Sequence, residues 1–175
     1  MNKKTGLGVD PGLHALRERC AYPVTGLAEA SFIQAAHIGP FAIVTGGQRW
    51  QPMLQRLALS LGFSSSLRYV ETVPQSGSQL LAHPEQAVNV LTQVCQRAAL
   101  REVKSVVLGG AGLAGFAALV QPHVDIPVID SVHASVQVVM GDALPHPVRS
   151  GAPFDVHWQG LSPAMGRMML RATLS

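Results

Sequence analysis

Two kinds of segment alternate along this chain from residue 22 to about residue 140. Short apolar runs rich in β-branched residues predict buried strands, and stretches with helical periodicity follow them. The predicted strands cover residues 22–27, 41–45, 67–73, 103–108 and 126–129. The predicted helices cover residues 28–38, 51–61, 84–100, 112–121 and 131–140. Regular alternation of this kind predicts right-handed crossovers and a mainly parallel sheet with helices on both faces, which is an α/β fold.

Glycine and proline residues between these segments support the boundaries. Gly62 follows the second helix, where a C-terminal glycine commonly ends one. Pro84 precedes the long third helix, and proline is well tolerated in the first helical turn. Residues 74–83, rich in Ser, Gly and Gln, predict a loop.

The pattern changes near residue 140. Beyond it there are four prolines and little periodicity, apart from residues 163–174, which predict a short amphipathic helix. We therefore divide the chain into one α/β domain over residues 1–140 and an irregular C-terminal tail over residues 141–175. A hydrophobic content of 47% in 175 residues is enough for one core.

Composition narrows the classes of partner. The net charge is +3 and the basic residues are scattered, so a nucleic-acid partner is not expected. No run approaches the roughly 20 apolar residues that cross a bilayer, and the N-terminus does not resemble a signal peptide. Two cysteines, Cys20 and Cys95, suit a reducing cytoplasm. We expect no metal, because His37, His133, His146 and His157 show no close ligand spacing.

Three glycine-bearing turns provide the candidate chemistry: residues 8–12, 45–47 and 109–112. In an open parallel sheet such turns gather at the carboxyl ends of the strands, where backbone N–H groups favour an anion. Gly110, Gly112 and Gly115 also match a dinucleotide pattern, with Asp130 following Gly110 by 20 residues. That alternative is less favoured, because two strand–helix units precede the pattern and no strong strand follows Asp130.

Five segments, in this order, resemble the aspartate/glutamate/hydantoin racemase superfamily, and its hydantoin racemase branch most closely. They are Asp10-Pro-Gly-Leu, Pro23-Val-Thr-Gly-Leu-Ala-Glu-Ala, Phe41-Ala-Ile-Val-Thr, Val107-Leu-Gly-Gly-Ala-Gly-Leu-Ala-Gly and Ile126-Pro-Val-Ile-Asp-Ser. The resemblance implies two similar α/β lobes with a small acidic substrate between them. Residues 22–130 correspond to a complete second lobe, and the rest to remnants of the first, so the chain is expected to be truncated at its N-terminus.

The resemblance also implies racemisation or epimerisation without a cofactor, in which one cysteine removes a proton and a second returns one on the opposite face. The family's cysteine positions fall here at Leu7, or a neighbouring residue, and at Gly110. Neither leucine nor glycine can transfer a proton, so the activity of this chain is in question. Asp10 is the candidate replacement acid or base, although an aspartate before Pro-Gly is also ordinary in a turn.

The implied ligand is a small carboxylate or a hydantoin-like ring. The candidate substrate-binding residues are Gly8, Val9, Pro11, Gly12, Thr45, Gly46, Gly47, Gly109, Ala111 and Gly112. Thr45 suits a ligand contact or a turn hydrogen bond, and Glu29 suits a helix cap or the cleft. The competing hypothesis is a non-catalytic anion-binding protein or a vestigial fragment. A lone lobe would expose apolar surface, which favours a homo-oligomer.

Overall fold

The computed structural model describes residues 10–19, 24–141 and 162–164. Within these ranges the chain forms one four-stranded sheet in the order β2-β1-β3-β4, and every neighbouring pair is parallel. The strands are β1 (Phe41–Gly46), β2 (Leu67–Val73), β3 (Ser105–Gly109) and β4 (Val128–Asp130). The predicted α/β class and parallel sheet are therefore confirmed.

Seven α-helices lie within residues 10–19 and 24–141. They are α1 (Leu13–Arg19), α2 (Leu27–Ile38), α3 (Trp50–Ser60), α4 (Gly77–Ala82), α5 (Pro84–Ala99), α6 (Phe116–Val120) and α7 (Ser131–Met140). Two short 3₁₀ helices, Ala111–Leu113 and Gln121–His123, flank α6.

Alternate residues of the central strands bury their side chains on opposite faces of the sheet. Phe41 and Ile43 of β1 pack with α2, α3 and α7, whereas Ala42 and Val44 pack with α4, α5 and α6. All six residues of β1 are buried. A strand covered on both faces needs an almost continuous apolar run, and this is the pattern that predicted it.

The order of the strands brings the candidate turns together. β1 and β3 are neighbours, with Thr45 opposite Gly109 in the register. The N-terminus of α2 reaches the same edge, because Leu27 and Ala28 line one small void together with Thr45 and Gly110. The carboxyl edge of β1 and β3 therefore also carries a helix N-terminus.

The predicted strand over residues 22–27 is wrong where the structure describes it. Residues 24–26 are not a strand, and Leu27 already belongs to α2. Gly26 instead packs against the Asp10 carboxyl group, so that a Cβ at Gly26 would lie 1.9 Å from Asp10 Cγ. A contact between residues so far apart leaves no periodic pattern in the local sequence.

Residues 74–83 are not wholly a loop, since they contain α4. Ser76 caps that helix: its hydroxyl accepts from the Gln79 backbone N–H, and the Gln79 side chain accepts from the Ser76 N–H. This is a capping box, whose Ser-x-x-Gln pattern was present in the sequence.

The region predicted as a helix over residues 112–121 is also divided. Gly115, with φ +86°, separates the first 3₁₀ helix from α6. β4 begins two residues later than predicted, after Pro127, which has no N–H to donate to a neighbouring strand. The tail from residue 142 to 161 and most of the predicted helix over residues 163–174 lie outside the described residues, so the domain boundary remains a prediction.

Three glycines, Gly46, Gly77 and Gly112, allow residues 75–77 at the start of α4 to lie directly on the sheet edge. A Cβ at Gly46 would lie 2.7 Å from the Gln75 carbonyl oxygen, and one at Gly112 would lie 3.2 Å from Gly77 Cα. The Gly46 contact is with backbone, which cannot move aside as the end of a side chain can.

We expect Gly46→Ala to lower the free energy of unfolding by about 1–3 kcal/mol, because the new methyl group overpacks against backbone. The control is Gly77→Ala, whose Cβ would meet its nearest atom at an ordinary 3.4 Å. That change should stay within about 0.5 kcal/mol of the wild type. Urea unfolding measures both, and equal effects would contradict the assignment.

Candidate functional site

The candidate site is built on the carboxyl ends of β1 and β3. The Thr45 hydroxyl donates to the Gly109 carbonyl oxygen at 2.8 Å, and the Gly110 N–H donates to Ser131 Oγ at 3.1 Å. Thr45 is 6% exposed and Ser131 is 2% exposed. The Thr45 proton is thus engaged inside the protein, in a hydrogen bond between the neighbouring strands β1 and β3 and not within a local turn.

Gly110 has a backbone conformation that glycine favours, with φ +114° and ψ +139°. The space beside it is open, since a Cβ there would meet only Thr45 Oγ1, at 3.8 Å. The void beneath Gly110 is only about 10 Å³, enough for at most one water molecule. A ligand at this position would therefore lie on the edge of the sheet and not beneath it.

Several of the predicted binding glycines pack against protein. Gly46 and Gly112 contact residues 75–77 at the start of α4, as described above, and a Cβ at Gly47 would lie 3.3 Å from the Trp50 ring. Gly109 lies opposite Thr45 in the sheet. Ala111 is exposed. The part of the predicted site open to a ligand is therefore centred on Gly110 and Ala111.

Asp10 lies at the N-terminus of α2. Its two carboxylate oxygens accept from the backbone N–H groups of Ala28, at 3.0 Å, and Glu29, at 2.8 Å. Burial raises the pKa of the Asp10 carboxyl group above its ordinary value of 3.8, and the hydrogen bonds from these N–H groups only partly oppose this effect. Asp10 thus caps a helix that begins 17 residues later in the chain.

Glu29 is buried and is held by more than one partner. Its carboxylate forms an ion pair with Arg17, and the Thr25 hydroxyl donates to it at 3.0 Å. The Arg17 guanidinium also donates to the Val24 carbonyl oxygen. This pair joins α1 to the start of α2, so Glu29 has a structural role at the first turn of the helix.

Asp130 connects the glycine loop to α7. One carboxylate oxygen accepts from the N–H groups of Val132, at 2.9 Å, and His133, at 3.1 Å, which caps α7. The other accepts from the Gly115 N–H at 2.6 Å. The dinucleotide alternative gains no support, because the carboxylate it assigns to a ribose is engaged within the protein and the pattern follows the third strand.

Cys95 is the one cysteine among the described residues. It is fully buried in α5, and burial together with the nearby Glu71 raises the pKa of its thiol to about 12. Such a thiol is protonated at neutral pH and is a poor proton acceptor. Among the described residues, no thiol therefore lies at the sheet edge.

The other predicted residues are less informative. Leu7, Gly8, Val9, Cys20, His146 and His157 lie outside the described residues. Pro11 and Gly12 are exposed just before α1, and His37 and His133 are exposed on helices. Within the described ranges, no three His, Cys, Asp or Glu side chains are grouped so that they could hold a metal ion, and no helix is both long and apolar enough to cross a membrane.

Sequence reasoning missed Ser131 as part of this site. The sequence signal for Ser131 was weak: it follows Asp130 at the start of a helix, where serine is common for reasons of capping alone.

The structure also shows an apolar cavity of about 410 Å³, which Asp10 and Leu16 line together with the exposed α7 residues Val136, Val139 and Met140.

The arrangement defines an α/β protein whose glycine loops and helix N-terminus share one edge of a parallel sheet. Residues 6–139 match the family model for Asp/Glu/Hydantoin racemase. The chain therefore belongs to the Asp/Glu/hydantoin racemase family, as its sequence motifs indicated.

Individual relatives agree with this assignment. A hydantoin racemase of Pseudomonas sp. (strain NS671) is 35% identical over 130 residues, which are 73% of this chain and 52% of that protein. Allantoin racemase from Klebsiella pneumoniae has a TM-score of 0.69 at 32% identity, covering 75% of this chain and 54% of that one. Allantoin racemase from Pseudomonas fluorescens shares the fold with a TM-score of 0.74 at 20% identity, covering 86% and 68%. The chain thus spans about half the length of the curated relatives it matches.

The cap that Asp10 forms can be tested through pH. Because the pKa of Asp10 is raised in the folded state, the protonated carboxyl group makes its full contribution to the free energy of unfolding below about pH 3.8. That contribution is lost as the pH rises through the pKa of Asp10 in the folded state. In urea unfolding, we expect the free energy of unfolding of the wild type, relative to that of Asp10→Asn, to decrease as the pH rises above about 3.8. A difference that grows with pH would contradict the burial argument.

Two further variants separate the cap from the charge. Asp10→Ala removes both acceptors and should cost about 1–2 kcal/mol, whereas Asp10→Asn keeps one acceptor oxygen and should cost less. Asp125→Asn, an exposed aspartate before β4, is the control for loss of one surface carboxylate.

Proposed function

We propose that this chain is a hydantoin-racemase-type binding lobe that takes a small hydantoin-like or carboxylate ligand at the carboxyl edge of its sheet, and that it does not perform the proton transfer between two thiols. The observation that carries the proposal is Gly110, which stands where the resemblance places a thiol. It has φ +114° and no side chain. Membership of the family supports the class of ligand.

The shape of the edge supports binding at the surface. Gly110 and Ala111 are accessible, while the void beneath them is too small for a ring. A planar five-membered imide or a carboxylate offers oxygen acceptors to backbone N–H groups, which bind developing or full negative charge well. Ligand recognition at this edge therefore needs no titratable side chain.

A second candidate function is carbon-acid chemistry by Asp10. Its raised pKa and its position on the 410 Å³ cavity are properties that suit a general base. Against it, both carboxylate oxygens accept hydrogen bonds from α2. We rank this candidate second because proton transfer would compete with the cap.

One NMR experiment distinguishes the two candidates. The folded chain in D₂O is mixed with 5-substituted hydantoins, allantoin and a panel of amino acids. Saturation transfer reports binding, and loss of the proton next to the carbonyl reports exchange. We expect binding of a hydantoin or carboxylate, with exchange no faster than in a sample without protein.

Each other result has a defined meaning. Absence of binding to every compound overturns the proposal. Accelerated exchange that disappears in Asp10→Asn and survives in Asp125→Asn establishes the second candidate. Accelerated exchange that disappears in Cys20→Ala or Cys95→Ala establishes thiol chemistry and also contradicts the proposal.

We also propose that the chain acts in the cytoplasm, which its low cysteine content favours.

We further propose that the chain forms a homo-oligomer through α7. That helix has no Asp, Glu, Lys or Arg, yet Val136 is 54% exposed and Met140 is 81% exposed. Apolar side chains on an uncharged helix favour coverage by another surface.

Sedimentation velocity tests the oligomer. We expect the wild type to sediment as a dimer or larger species, and Val136→Lys to shift it to the monomer because a charge would be buried in the interface. Leu59→Lys is the control, since Leu59 is 67% exposed on the separate helix α3. The proposal would be overturned by a wild type that is still monomeric at about 100 μM, which is roughly 100 times a dimer Kd of about 1 μM.

A further inference from the structure

The peptide unit between Gly109 and Gly110 is hydrogen bonded at both ends by side-chain hydroxyl groups. Its carbonyl oxygen accepts from Thr45 Oγ1 at 2.8 Å, and its N–H donates to Ser131 Oγ at 3.1 Å. The two hydroxyls come from different parts of the fold, β1 and α7. One peptide plane is therefore held from two sides.

This peptide unit needs such support because both of its residues are glycines. Glycine has no Cβ to restrict rotation about the bonds on either side of the plane, so the peptide can turn at little steric cost. The next carbonyl, that of Gly110, accepts from the Leu113 N–H at 2.9 Å. Once the first plane is held, the path of the loop into its 3₁₀ helix is determined.

Burial makes the two hydrogen bonds effective. Ser131 is 2% exposed and Thr45 is 6% exposed, so water does not readily replace either partner. The peptide group itself is half-buried, with its two bonded ends turned toward these buried hydroxyls. A polar group shielded from water and left without its partner costs more than the net value of the bond itself. Loss of either hydroxyl is therefore expected to change the orientation of the Gly109–Gly110 peptide more than any other part of the structure.

We infer that Thr45 and Ser131 are positioning residues, which hold the Gly109–Gly110 peptide in the one orientation that presents the loop to a hydantoin-like or carboxylate ligand. The choice of ligand in this inference rests on the proposed function, whereas the two hydrogen bonds do not depend on it. Thr45 thus acts through the backbone and not by touching the ligand with its hydroxyl proton. Ser131 has the same role from the opposite side of the loop.

The test compares two serines of one helix. Ser131→Ala removes the acceptor of the Gly110 N–H. Ser135→Ala makes the same chemical change one turn later, where the hydroxyl donates to the Val132 carbonyl oxygen and does not contact the loop. Thr45→Val removes the other hydroxyl with little change in shape, and Thr45→Ser retains it.

Two readouts are measured on each folded variant. Hydrogen exchange of the Gly110 amide in the free protein should become about tenfold faster in Ser131→Ala and in Thr45→Val, as expected for the loss of one partly buried hydrogen bond. The Gly115 amide, which Asp130 holds, is the reference in the same spectra and should not change. The Kd for hydantoin should rise about tenfold in the same two variants, and Thr45→Ser and Ser135→Ala should resemble the wild type.

The outcomes separate this inference from the proposed function. Unchanged Gly110 exchange in Ser131→Ala and Thr45→Val overturns the inference, whatever the ligand does. Faster Gly110 exchange with an unchanged Kd for hydantoin overturns the positioning role. A wild type that does not bind hydantoin counts against the proposed function, and the exchange of Gly110 still decides whether the two hydroxyls hold the peptide.

Discussion

Burial of β1 and β3 on both faces is the constraint from which the rest of the structure follows. Because both faces of these strands are apolar, helices must cover each side, and the chain must return across the sheet after every strand. The returning helices begin where the strands end. The same burial that stabilises the core therefore collects Thr45, the Gly109–Gly115 loop and the N-terminus of α2 at one edge.

Two aspartates of the chain occupy the positively polarised N-termini of helices at this edge. Asp10 accepts from the first turn of α2, and Asp130 accepts from the first turn of α7. A helix N-terminus favours an anion, and here the chain supplies its own. The consequence for function is that a ligand has to depend on the glycine loop, whose position depends in turn on Thr45, Asp130 and Ser131.

Local patterns predicted the central elements closely. β2 has the predicted bounds, β1 extends one residue further, and α7 matches residues 131–140, because each depends on its own periodicity and end residues. The strand predicted over residues 22–27 was wrong where the structure describes it, because Leu27 begins α2 and Gly26 packs against Asp10. Thr45 was recognised at the edge, but its partner on Gly109 depends on the pairing of β1 with β3, which local sequence does not encode.

The sequence by itself determined the fold class and the family, because these depend on residue identity and on short-range periodicity, whereas the replacement of a thiol by Gly110 stays a prediction from the resemblance. Tertiary structure alone decided which groups at the edge are engaged and which are open. Asp10 reaches a helix 17 residues away, and Ser131 reaches the Gly110 N–H from 21 residues away. Hydrogen bonds between residues this far apart in the chain form only when the helices and the sheet pack together, so no pattern in neighbouring residues predicts them.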